Sequence, residues 1–136
     1  MANITSIQTL VDGPRNVVVK LAGILDTADI SSTTLVDPAT LAALNTDSGE
    51  LPTRLIIDKV SYNVEAGLTV NLYWDATSPV LINSLVNSGD DLEYKDFGGV
   101  YNTEASGVTG KILYSTQGWS AGAILSFTAV LEMRKK

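Results

Sequence analysis

The clearest apolar run in the chain, "RNVVVKLAGIL" at 15–25, has apolar residues at both odd and even positions. Three consecutive valines are β-branched and stiff, which favours a strand. Apolar side chains on both parities fit a strand covered on both sides, or one entering a subunit contact. Val17 and Val19 are therefore candidate contact residues. The preceding "ITSIQTLVDGPRN" ends in a turn, because Asp12-Gly13-Pro14 breaks regular structure.

Residues 26–50 are polar and punctuated. Asp37-Pro38 before Ala39, Leu41, Ala42 and Leu44 predicts one or two helical turns, with Asp37 as N-cap and Pro38 first in the helix. Asn45 to Glu50 reads as a polar loop. The stretch "PTRLIIDKVSYNVE", 52–65, reads as a strand whose parity switches. Leu55 and Ile57 share one face, Val60, Tyr62 and Val64 the other, and a bulge near Asp58-Lys59 reconciles them. Ala66-Gly67 reads as a turn. In "LTVNLYWD", 68–75, Leu68, Val70, Leu72 and Trp74 alternate with polar neighbours. Two such runs around a glycine-containing turn predict a hairpin.

Three more strands follow: "PVLINSLV" at 79–86, "GKILYST" at 110–116 and "AGAILSFTAVLEMRK" at 121–135. The last places Ala123, Leu125, Phe127, Ala129, Leu131 and Met133 on one face. Residues 87–110 are rich in Gly and Asp and read as mostly irregular, with one short strand inside. The expectation is an all-β chain: a two-layer antiparallel β-sandwich, jelly-roll-like, of seven or eight strands with at most one short helix. A length of 136 residues suits a single domain over 1–136.

Composition supports this picture. Charged residues are only 18%, and 26 serines and threonines fill the gap, which favours strands and turns. Net charge is −6, which opposes a nucleic-acid partner. The only basic run, Arg134-Lys135-Lys136, reads as a solvated tail. No apolar run approaches the ~18 residues of a membrane span, and residues 1–15 do not read as a signal peptide. A soluble protein made in a cytoplasm is expected.

The sequence argues against catalysis. There is no histidine and no cysteine, so Ser-His-Asp and Cys-His sites and thiolate zinc sites are excluded. Asp96-Phe97-Gly98 matches a kinase triplet, but the rest of that signature is missing. It reads as a turn in which Phe97 pins the loop to the core and the glycines take positive φ. Around Gly110-Lys111-Ile112 a P-loop fails, since Ala105 and Ile112 stand where glycine and a hydroxyl are needed. Asp90, Asp91, Glu93 and Asp96 cluster, and read as a solvated acidic loop before a calcium site. No enzyme, cofactor or metal is expected. Trp74 is read as core. Trp119, in "TQGWSAG", is either a lid on the core or a contact residue.

Taken together, "TLVDGPRNVVVKLAG", "LYWDATSPV", "FGG" at 97–99 and "GKILYSTQGW" resemble small proteins encoded among the virion genes of tailed bacteriophages. The resemblance covers about residues 9 to 131. It implies a capsid decoration, or cement, protein with a jelly-roll-like fold, bound to the major capsid protein on the virion surface. It also implies self-association as a dimer or trimer. No family residue carries over by position. The candidate contact residues are Trp119, Phe97, Tyr94, Tyr101, Val17 and Val19, and loops 26–50 and 87–110 are the expected contact regions. The alternatives are a tail or neck component, or a carbohydrate-binding module with an aromatic platform of Trp119 and Tyr94 or Tyr101.

Overall fold

A computed structural model describes residues 3–44, 49–102, 107 and 109–135, with backbone only at Asn87 and Ser88. The described residues form seven strands: β1 (Ile4–Asp12), β2 (Asn16–Leu25), β3 (Thr33–Val36), β4 (Leu55–Trp74), β5 (Val80–Glu93), β6 (Ile112–Gln117) and β7 (Leu125–Lys135). Every pairing is antiparallel. The expected all-β, two-layer architecture is what the chain adopts. One continuous sheet supplies both layers, in the order β1-β2-β7-β4-β6-β3, with β5 along β4.

β4 makes the corner. Its first half, Leu55 to Val64, pairs with β7, and its second half, Thr69 to Trp74, pairs with β6. Val64 faces Ser88 of β5 and Thr69 faces Val86, so the four residues 65–68 stand opposite Asn87 alone. The surplus bends the strand from one layer into the other. Gly67 sits in that surplus at φ +87°, and a Cβ on Gly118 would collide with its carbonyl oxygen. The hairpin expected at Ala66-Gly67 is therefore corrected. The glycine carries one strand of 20 residues from one layer into the other, and its two halves pair with β7 and β6 instead of with each other. The bulge expected near Asp58-Lys59 is present, between Ile57 and Lys59.

Other boundaries also move. β5 continues to Glu93, through residues read as irregular, and β3 lies within the polar stretch. The helix is a single 3-10 turn at Pro38–Thr40, capped by the Asp37 side chain accepting from the Ala39 amide. The polar loop at 45–50 lies mostly outside the described residues, as does part of 103–108.

The core lies between the layers. β2 contributes Val17, Val19, Leu21 and Leu25; β7 contributes Phe127, Ala129, Leu131 and Met133. The facing layer contributes Leu68, Val70, Leu72, Trp74, Leu85, Ile112 and Tyr114. Trp74 is core, as read. Gly23 lies opposite Phe127, and a Cβ there would lie 2.5 Å from the ring. The missing side chain thus makes room for an aromatic one.

Arg134 and Lys135 of the C-terminal basic run are not solvated as read; Lys136 lies outside the described residues. The Lys135 side chain is fully enclosed, donating to Asp12 and, at 2.9 Å, to the Ala42 carbonyl. Asp12 in turn accepts from the Ala42 amide. Burial alone would raise the Asp12 pKa. The bonds from Lys135 and Ala42, with the Lys135 charge, outweigh it and hold the carboxyl below 3.8. Arg134 is also paired, with Asp58.

Candidate interaction surface

The six candidate contact residues separate into three groups. Val17 and Val19 are 0% and 2% exposed on the core face of β2. They fill this chain's own core and are corrected as contact residues. The second apolar parity of β2 is Val18, Ala22 and Ile24, beside Lys20, on the outer face.

Trp119 and Tyr94 are half-buried and packed against the core. The Trp119 indole N–H donates to the Ala123 carbonyl at 2.9 Å, and its backbone amide donates to Asp29. Asp29 also accepts from the Thr116 hydroxyl. These bonds hold Trp119 as a lid over the end where β4 bends. Tyr94 donates its hydroxyl to Asn83 at 2.9 Å. It roofs the opposite end, where β4 begins. Trp119 therefore shares no platform with Tyr94 or Tyr101.

Phe97 and Tyr101 are exposed, at 84% and 56%. Phe97 closes a 3-10 turn, Lys95–Phe97, followed by Gly98 and Gly99 at φ +83° and +87°. The turn at the kinase-like triplet is as read, but Phe97 points away from the core and pins nothing. The loop itself is firmly tied. Its Tyr94 amide donates to the Asp58 carbonyl at 2.7 Å, and Val100 exchanges two backbone bonds with Ile57. Arg134 holds both Asp58 carboxylate oxygens through Nε and reaches the Gly98 carbonyl at 2.7 Å. The ring is thus presented on a fixed loop, so little conformational entropy is lost when a partner covers it. Beside it, Arg54, Trp74, Tyr101 and Arg134 line a crevice of about 410 Å³.

A second exposed apolar group lies at the other end. Ile4 of β1 faces Ile24 of β2, and Ile24 faces Ser126 of β7. Ile124, two residues before Ser126, continues the same outward parity. The three are 56%, 40% and 62% exposed. β7 runs from one group to the other, and its 11 residues give a separation of roughly 30 Å. The signal for Phe97 was legible as an aromatic in a Gly-flanked turn. Ile124 carried none, because it looks like one more residue of the last strand.

The acidic cluster does not converge. Asp91 and Glu93 flank Lys59 on the outer face, at 3.8 and 3.7 Å, while Asp90 faces Tyr62 on the other side. Among the described residues no three potential ligands gather into a metal site. None of the described helices is long and apolar enough to cross a membrane. No family model matches the chain, and no curated protein matches it.

Proposed function

We propose that the chain is a non-enzymatic virion protein of the capsid decoration type, which clamps the outside of a phage head shell by touching more than one major capsid protein subunit. The observation that carries the reading is the pair of exposed apolar groups at opposite ends, Phe97 with Tyr101 and Ile24 with Ile124. A clamp needs two contact surfaces held apart by a stiff body, and a two-layer sandwich is such a body. Each large apolar side chain buried on a partner is worth about 1.5–3 kcal/mol. Single contacts of that size are weak. Two on one rigid scaffold act together, since the second binds at the effective concentration set by the first. The phage assignment itself rests on the sequence resemblance.

A carbohydrate-binding reading is less well supported, because Trp119 serves as a lid and Tyr101 lies at the other end of the sandwich. The deciding experiment is quantitative mass spectrometry of purified virions. The expected result is a copy number near that of the shell subunit or a simple fraction of it. A handful of copies would move the protein to the neck or tail. Absence from particles would end the structural reading. Phe97→Asp and Ile124→Asp should each lower occupancy at least tenfold, leaving folding unchanged.

A further inference from the structure

We infer that β1 is a self-pairing edge, through which two copies of this chain join antiparallel about a twofold axis at Ile7. The decoration resemblance leaves dimer or trimer open and names no surface; the surface and the twofold rest on the edge alone. A free sheet edge offers unpaired backbone amides and carbonyls to any passing strand, and proteins protect such edges by shortness, charge, proline or a bulge. Among the described residues, β1, β3 and β5 lie at the rim of this sheet. β3 has only four residues. β5 is preceded by Pro79, shifts register against β4 and carries Asp90, Asp91 and Glu93. β1 has nine residues, all exposed, and no charge before Asp12. Its ladder with β2 is regular from Ile4 to Thr9, and the only irregularity follows at Leu10. β1 has only the single shift at Leu10, near one end of the strand, and is the least protected of the three.

The sequence of this edge matches itself when reversed. Residues 4–10 read Ile-Thr-Ser-Ile-Gln-Thr-Leu. Antiparallel pairing centred on Ile7 sets Ile7 against Ile7, Thr5 against Thr9, Ser6 against Gln8 and Ile4 against Leu10. Every position meets one of its own kind, and no like charges oppose each other. The same patch then serves both copies, as a twofold contact requires. Ile4, Ile7 and Leu10 are 56%, 44% and 53% exposed, so their burial is available to the pairing. Edge pairing covers the backbone rim and only part of these side chains, so the seam is smaller than the ~800 Å² per partner of a standard interface. A modest, concentration-dependent dimer is the consequence.

Sedimentation equilibrium of the full chain from about 1 µM to 1 mM tests this, with melting curves as the folding control. Wild type should move from monomer to dimer. Ile7→Lys and Ile7→Glu should each weaken the dimer at least tenfold, since like charges then meet on the axis. Mixed one to one, the two variants should recover it. Ser6→Lys should also weaken it, and Ser6→Lys with Gln8→Glu in one chain should restore it. A wild type monomeric throughout, a trimer, Ile7 variants that dimerise normally, or folded variants that stay monomeric on mixing would each overturn the twofold.

Discussion

Replacing Lys135 by methionine should destabilise the fold by about 2–3 kcal/mol. The substitution keeps the aliphatic stem and removes the ammonium. Removing one partner of a buried ion pair costs about 3–5 kcal/mol, because the other charge is left without compensation. Here the cost is smaller. The Asp12 side chain is 29% exposed and keeps the Ala42 amide, so water and one hydrogen bond take part of the load. The mirror change, Asp12→Asn, leaves a fully enclosed ammonium with the Ala42 carbonyl and a neutral amide oxygen, and costs a similar amount. Since the two side chains touch, the double variant should lose less than the sum of the singles, by about 1–2 kcal/mol. Urea denaturation at pH 7 with the four-variant cycle reads all of this directly.

The pH dependence gives an independent check on the same contact. The folded Asp12 carboxyl titrates below 3.8, its ordinary value. A depressed acid contributes stability in full above the unfolded value, and loses it as pH falls through the folded one. The stability gap between wild type and Asp12→Asn should therefore be constant from pH 5 to 7 and close below pH 4. A Lys135→Met chain within 0.5 kcal/mol of wild type, or a strictly additive cycle, would refute the argument. The chain end would then be a tail after all.

Three further outcomes follow from the packing. Gly23→Ala should cost about 1–3 kcal/mol, as overpacking does; a melt of Gly23→Ala combined with Phe127→Leu should recover much of it. Burial raises the Tyr114 pKa above 10, against a lowering bond from Thr5, so its contribution is present below pH 10 and lost as pH rises through the folded value. Tyr114→Phe should lack that alkaline loss in denaturation at pH 9 to 11.5. Trp119→Phe should cost about 1 kcal/mol, the worth of one hydrogen bond, in chemical denaturation.

Much of the fold was legible because burial imposes a period of two. The inward set of β7 and the alternation from Leu68 to Trp74 both came directly from the sequence, and both face the core. Even the bulge at Asp58-Lys59 showed, as a parity switch. The failures share one cause. Gly67 carries the same local signal whether the two runs pair with each other or with different strands, and only the partner strands decide. β6 takes over from β7 along β4, so the two runs cross between layers and form no hairpin. In the same way, the charges of Arg134 and Lys135 suggested solvent, because their partners Asp58 and Asp12 are 76 and 123 residues away. Val17 and Val19 failed differently: two apolar parities on β2 show that both faces are covered to some degree, not which one faces a partner.

β1 turns that reasoning around. Its apolar residues fall at 4, 7, 10 and 11, a spacing that suits neither face of a strand. Every residue of β1 is exposed, and its inward tie is a polar one, Thr5 to Tyr114 of the facing layer, so apolar burial imposes no alternation on it. A strand built without a buried apolar face still has to be stabilised by something, and its ladder to β2 satisfies one edge only. The spacing of three that looks wrong for a core is right for a symmetric seam. It places Ile4 and Leu10 at equal distances from Ile7, where an antiparallel copy returns each to the other. The irregular pattern at the start of the chain is thus the expected mark of a strand whose second partner lies outside the monomer.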